Sequence, residues 1–509
     1  MRNNDVRMVT CVALSMCVFW LSGEACTGVY VGKKVSADGT AMIGRTDDVR
    51  PLGIWHWFEA VPARHSPTNL ICSGSRGFVR EWPSNTYAYV CTPRATCFRR
   101  GRIVAMGMNE KGLAVTATVT AWAKRELMER DPFVPTGLAE ESITDYVSGC
   151  CATAREAVDA IVKIVADLGN SEGSIILLAD KNEAWYVELY TGHHWAAIRL
   201  PEDRMAAFGN EFMLGEVEEN GRDVLFSPGL VSFVTSAGCA KYGPKGRMHL
   251  AESLSTPVVD FSNLRTRWGR VYFGATEESS AFAPFGRQDL LFKPSRKISV
   301  KDIFGYMRSR CEGTDFCPDT NGRGDLRVVG VEYQATDHVL SVRDDVPDRF
   351  AVTAWVMLGA AEHSVFLPVS NAALEFDPDW SFDSPFGVPV TYRERRSAGV
   401  VLRRLCTLSR LDRKYFGNGV RNFWKQTEDR FLSEWPKIFA AAMAAGDDVA
   451  ARLLTDYTCV AQRRVLDKAT KMTETILDEL DDQTQTLKVD IEKNGYGTID
   501  LPKRKPLSF

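Results

Sequence analysis

Histidine is scarce in this chain: seven in 509 residues. No His-Glu-x-x-His segment is present, and no second His/Asp cluster has metal-ligand spacing, so a metal peptidase is not expected. His193 and His194 are adjacent and fall in a turn, where they read as structural or exposed. No Cys-His catalytic pair can be read either. Charge of one sign is also lacking. Lys and Arg total 62 against 65 Asp and Glu, a net charge of -3. No basic block tracks a phosphate backbone, so nothing asks for nucleic acid. After the N-terminal stretch, no run reaches the roughly eighteen apolar residues of a membrane span. Internal repeats and low-complexity tracts are missing too. What remains is ordinary globular composition, 45% hydrophobic and 25% charged. The length suits roughly two to four average domains, or one large domain with additions.

The N-terminus stands apart. Arg2 and Arg7 precede the short apolar run "MVTCVALSMCVFWL" from Met8 to Leu21. Gly23 and Ala25 then give a small-x-small ending, the pattern of a cleaved secretory signal. Residues 1–25 are therefore expected to be a signal peptide, and the mature chain to be exported (periplasmic or secreted) and to start at Cys26. Of thirteen cysteines, Cys11 and Cys17 would leave with the signal. The remainder is odd, which in an exported protein points to a free reactive thiol. Cys91 and Cys97 are close in sequence, as are Cys311 and Cys317, but connectivity stays open.

Downstream, "TGVYVGKKV" and "AMIGRT" flank a turn at Asp38-Gly39, a hairpin signal. A second hairpin joins "RIVAMGM" to "LAVTATVT" through Asn109 to Gly112. Leu113, Val115, Ala117 and Val119 share one face of the return strand, and Ala114, Thr116, Thr118 and Thr120 share the other. That period of two predicts a half-buried strand. Asn109 reads as the structural turn residue of this hairpin. Ser174 to Leu200 reads as a three-stranded meander. The preceding "CCATAREAVDAIVKIVADLG" is helical, with Ala154, Val158, Ile161 and Val165 on one side. Later strands are expected in "DRFAVTAWVML" and "SVFLPV". From about Tyr415 the chain turns helical and rich in charge, with Met472, Ile476 and Leu480 spaced by four, a break at Pro436, and a loose tail at the end. Antiparallel sheets covered by helices follow, an α+β class.

The segment "CTGVYVGKKVSADGTAMIGRTDDV" resembles the mature start of N-terminal-nucleophile (Ntn) cysteine hydrolases. Two groups share it: the dipeptidase A family, and the choloylglycine hydrolase and penicillin V acylase group. Both open on cysteine and carry an Arg-x-x-Asp turn downstream. "GMNEKGLAVTAT" looks like a hairpin of both groups. "EAWYVELYTGHHWAAIRLPED" followed by "GNEFML" looks like dipeptidase A in particular. The resemblance implies a four-layer αββα sandwich with helical C-terminal additions: a catalytic domain over 26–410 and a helical extension over 411–509 packed on it.

It also implies roles. Cys26 would be the nucleophile. Its free α-amine, with an ordinary pKa of about 7.7–8.0, would serve as the base without any histidine. Arg45 would lie near the sulfur and favour thiolate. Asp48 matches the aspartate that holds the α-amine. Asn210 matches an oxyanion donor. Arg267 resembles a late arginine near the nucleophile, with Arg265 and Arg270 as competitors. "LAVTATVT" lacks the oxyanion-hole asparagine of the choloylglycine group and the acidic residue of some dipeptidases. Thr118 and Thr120 stand in as candidates for substrate contacts.

The expectation is an exported cysteine dipeptidase taking dipeptide substrates, with no cofactor, no metal, no nucleic acid and no membrane span after cleavage. A homo-oligomer is compatible with it. Two alternatives stand beside it: an Ntn acylase acting on another linear amide, and a surface lipoprotein lipidated at Cys26. The latter signal wants an apolar residue where Gly23 stands.

Overall fold

The computed structural model describes residues 25–49, 56–65, 71–73, 77–94, 103–117, 120–258, 260–275, 286–321, 325–381, 397–494 and 506–509. Residues 1–24 of the expected signal peptide, Cys97, Thr118, Val119 and most of the C-terminal tail lie outside them.

The first hairpin pairs β1 (Ala25–Val31) with β2 (Ala41–Asp48). Its turn closes as the sequence asks. Gly39 takes a left-handed φ of 79°, open to glycine at little cost. Asp38 Oδ1 accepts from the Thr40 amide and from the Ser36 and Thr40 hydroxyls. The second hairpin, β5 (Ile103–Asn109) to β6 (Ala114–Ala117), and the meander β7 (Ser174–Ala179), β8 (Ala184–Leu189) and β9 (Trp195–Arg199) also fall where the alternation puts them.

Among the described residues, these strands build two large antiparallel sheets. With β10 (Met205–Phe208), β12 (Gln334–Val342), β13 (Val352–Leu358) and β14 (Leu367–Ser370), the first runs β10-β1-β2-β12-β13-β14. With β3 (Glu59–Val61), β4 (Tyr89–Arg94) and β11 (Val224–Phe226), the second runs β11-β9-β8-β7-β6-β5-β4-β3. Across the sandwich, β2 faces β6 and β7.

Helices close both outer faces. α1 (Glu140–Cys150) and α2 (Ala154–Leu168) cover the second sheet, and α3 (Asp260–Phe273) and α4 (Val300–Arg308) cover the first. This is the four-layer αββα sandwich. In α2, the Thr153 hydroxyl caps the Glu156 amide, and Ala154, Val158, Ile161 and Val165 are buried.

Stacking changes one expectation. β6 is buried on both faces, not half-buried. Leu113, Val115 and Ala117 join the apolar cluster under α1 and α2. Ala114 joins the cluster between the sheets. Thr116 also points inward, where its hydroxyl meets His338 Nε2 at 2.8 Å. A polar face in one strand reads as solvent-facing, but here it finds its partner on the opposite sheet.

The C-terminal helices are α5 (Ala398–Leu411), α6 (Asn418–Met443) and α7 (Asp447–Asn494). They pack on β13 and β14 and begin ahead of residue 411. Pro436 does not break the chain but lies inside α6. Its missing N–H forfeits one helical bond. Trp435 and Phe439, both buried, flank it, and Trp435 Nε1 donates to Thr353 Oγ1 at 3.3 Å, which fastens the helix to β13 at that point.

Candidate active site

The β1–β2 register assembles the site. Cys26 stands opposite Asp47 and Gly28 opposite Arg45. Side chains alternate along a strand, so Cys26, Arg45 and Asp47 share one face. That face looks into the sandwich. Gly28 is required there: a Cβ would lie 2.3 Å from the Phe208 ring.

Arg45 is 1% exposed. Its Nη1 donates to Cys26 Sγ at 3.3 Å and to Glu140 Oε1 at 2.9 Å, and its Nη2 donates to the Ala105 carbonyl at 3.3 Å. Asp47 Oδ1 lies 4.0 Å from Cys26 Sγ and 3.8 Å from Arg45 Nη1. Its other oxygen lies 3.0 Å from His56 Nε2 and 4.0 Å from Arg94 Nη1. Burial alone would raise the Asp47 carboxyl. Arg45, Arg94 and His56 outweigh burial and hold it well below the usual carboxylate range.

The Cys26 thiol moves the other way. Burial pushes it well above its ordinary range, and Asp47, Glu140 and Asp48 reinforce that against the pull of Arg45. The expected effect of Arg45 is present, but burial and the three carboxylates outweigh it.

The backbone of Cys26 is held on a second side. Its N–H donates to Asn210 Oδ1 at 3.2 Å. Arg265 Nη2 donates to the same oxygen at 2.6 Å, and Arg265 Nη1 donates to the Cys26 carbonyl and, at 3.3 Å, to Thr27 Oγ1. Asn210 Nδ2 donates to the Thr120 carbonyl at 2.9 Å. Asn210 is thus oriented at both ends of its amide. Burial and the nearby Arg327 push Arg265 down to about 10, which leaves it charged at neutral pH.

The remaining sequence candidates divide. Asp48 lies on the opposite face of β2, across from Ala25. It accepts from the Thr46 hydroxyl at 3.1 Å and from Arg327. Burial pushes its carboxyl up, with Arg327 and Arg265 opposing. Arg267 is buried in α3, but the arginine that bonds Cys26 is its competitor Arg265. Two positions along a helix turn the side chain by about 200°, so only one of the pair can point at β1. Thr120 enters through its carbonyl. Asn109 is structural: its Nδ2 donates to the Ser148 and Cys151 carbonyls, and its Oδ1 accepts from the Lys111 and Leu113 amides. His193 bonds Asp131, and His194 stacks on Phe233.

Sequence reading passed over Asp47, Glu140 and His56. For Asp47 the signal existed: in "RTDD" the period of two puts Asp47, not Asp48, on the face of Arg45. Glu140 and His56 come from distant segments with no local signature. Among the described residues, no group of three or more His, Cys, Asp and Glu is placed to hold a metal ion, and no helix is long and apolar enough to cross a membrane.

A family model described as Peptidase family C69 matches residues 25–381. The chain belongs to this family. Its relatives include a probable dipeptidase B from Streptococcus pyogenes serotype M1, 30% identical over 358 residues, 68% of this chain and 71% of the relative. A probable dipeptidase from Latilactobacillus sakei is 29% identical over 367 residues, covering 70% of this chain and 76% of the relative. Among solved structures, a mutant conjugated bile acid hydrolase from Clostridium perfringens aligns at 14% identity with a TM-score of 0.30, over 68% of this chain and 92% of its own. The C69 match makes the protein a peptidase, and it begins one residue before Cys26.

Proposed function

We propose that this peptidase is an exported dipeptidase whose mature chain begins at Cys26. The observation that carries the reading is the position of Cys26 itself: its sulfur is 3.3 Å from Arg45 and its nitrogen 3.2 Å from Asn210 Oδ1. Relatives named as probable dipeptidases support the substrate class. The apolar leader and the small residues Gly23 and Ala25 support export.

While Ala25 is attached, Cys26 N is an amide and has no basic lone pair. Cleavage converts it to an amine. The amine takes the proton from Sγ as sulfur attacks the scissile carbonyl carbon of a dipeptide. It then gives that proton to the departing amine, and a thioester remains on Cys26. Water attacks the thioester, the same amine takes a proton from it, and the proton returns to sulfur as the carboxylic acid leaves.

Asn210 serves both ends of this sequence. Its Oδ1 orients the amine. One Nδ2 hydrogen is held by Thr120, and the other is directed to the oxyanion. Arg45 supplies positive charge to the developing thiolate. Asp48, across from Ala25 on the neighbouring strand, is held by Thr46 and Arg327 and anchors the strand rather than the reacting atoms.

The mature enzyme should split free dipeptides and leave N-acyl amides largely untouched. Activity should persist in strong chelators and disappear on thiol alkylation and in Cys26→Ala. A preference for acyl amides would point to an amidase instead. Loss on chelation with rescue by zinc would contradict the mechanism.

A further inference from the structure

We infer that Glu188, on the interior strand β8, is a positioning residue that sets Asn210 through the loop 209–214. This rests on the reading of Cys26 and Asn210 above. Glu188 is wholly buried, and its carboxylate receives four donors. Oε1 accepts from the Tyr186 hydroxyl at 2.7 Å, the Met213 amide at 2.5 Å and the Leu214 amide at 3.3 Å. Oε2 accepts from the Tyr190 hydroxyl at 2.8 Å. Only an acceptor with several lone pairs satisfies such a set, and a carboxylate has them; burial pushes this carboxyl up, and the four donors oppose that.

Burying a carboxylate is expensive unless donors engage its oxygens. Two of its four donors, the Met213 and Leu214 amides, lie on the loop that carries Asn210. The loop's other ties point the same way. Gly209 N donates to Thr266 Oγ1 at 3.1 Å, and the Thr266 hydroxyl donates to Glu211 Oε1 at 2.5 Å. Arg287 Nη1 donates to the Phe212 carbonyl at 3.1 Å. Thr266 sits beside Arg265 in α3, so the loop and the arginine that both touch Cys26 are locked to one another. Glu188 closes this frame from the sheet side. It touches neither Cys26 nor, in the mechanism above, the substrate.

The test uses the mature full-length chain with Glu188→Leu and Glu188→Gln. Amide hydrogen exchange at Met213 and Leu214 should accelerate at least about tenfold in Glu188→Gln, because a neutral acceptor holds an N–H less strongly. Glu188→Leu should lower kcat on a dipeptide about a hundredfold, since a displacement near 1 Å costs that much. Glu188→Gln should fall between it and wild type, with KM within about twofold. Alkylation of Cys26 by iodoacetamide forms no oxyanion, so it loses only the share that comes from orienting the amine and should fall far less than kcat in both. Unchanged exchange at Met213 and Leu214 in Glu188→Gln would overturn the inference. So would alkylation falling in parallel with kcat. If Glu188→Leu does not fold, the glutamine variant carries the test alone. If the wild-type chain splits no dipeptide, the functional reading fails, while hydrogen exchange still reports on the clamp.

Discussion

The two faces of β2 carry nearly the same chemistry and do different work. Toward the sandwich interior, Arg45 and Asp47 stand beside the Cys26 sulfur, with Glu140 and His56 around them. Toward the helices, Thr46 and Asp48 meet Thr27 and Arg327. Both faces are buried and both pair a carboxylate with arginine. The inward face brings charge to the Cys26 sulfur, while the outward face ties the strand to the layer beneath it. Adjacent aspartates are thus held in opposite electrostatic states, Asp47 depressed and Asp48 raised.

The largest effect should come from the inward face. Arg45→Ala removes the cation beside Sγ and takes a buried partner from Glu140 and Asp47. Turnover should fall a hundredfold or more, and unfolding free energy should drop by about 3–5 kcal/mol, the usual result of breaking a buried pair. Steady-state kinetics and denaturant titration on the mature chain measure both. Near-normal turnover would reduce Arg45 to a structural cation.

The next test separates the aspartates by pH. The folded pKa of Asp47 is depressed, so its stabilisation is complete above the unfolded value of about 4 and fades as pH falls below it. Asp48 is raised, so its contribution is present below that value and is lost as pH rises through its folded pKa. The stability gap between wild type and Asp47→Asn should therefore shrink on acidification, and that between wild type and Asp48→Asn should shift in the opposite direction. Denaturant midpoints from about pH 3 to pH 7 decide it. Parallel curves would mean that the faces are electrostatically alike.

The smallest effect belongs to the contact behind the site. Thr116→Val removes the hydroxyl that faces His338 Nε2. An orphaned buried nitrogen should cost about 1–3 kcal/mol, with kcat nearly unchanged. A large loss of kcat would place this inter-sheet contact in the chemistry.

Much of this was legible before the fold. The turn at Asp38-Gly39 and the apolar alternation around it announce the first hairpin, and the helical spacing announces α2. The resemblance led to Cys26, Arg45 and Asn210, which the fold brings into contact. What stayed hidden depends on the third dimension. Arg265 and Arg267 differ only in the phase of α3 against β1, and a sequence does not reveal that phase. The inward polar face of β6 looks solvated until a second sheet covers it. Pro436 signals a break locally, but packing on β13 carries the helix through. Glu140 and Glu188 act through segments far along the chain, and no local pattern marks them.

The central claim is that Cys26 works with its own α-amine. Two mature chains test it most directly, one starting at Cys26 and one retaining two residues before it, both folded and both with the thiol intact. The first should hydrolyse dipeptides. The second should be slower by roughly a hundredfold to ten-thousandfold, the range for loss of a general base. Equal activity in the extended chain, with mass spectrometry showing the extra residues still attached, would contradict the account.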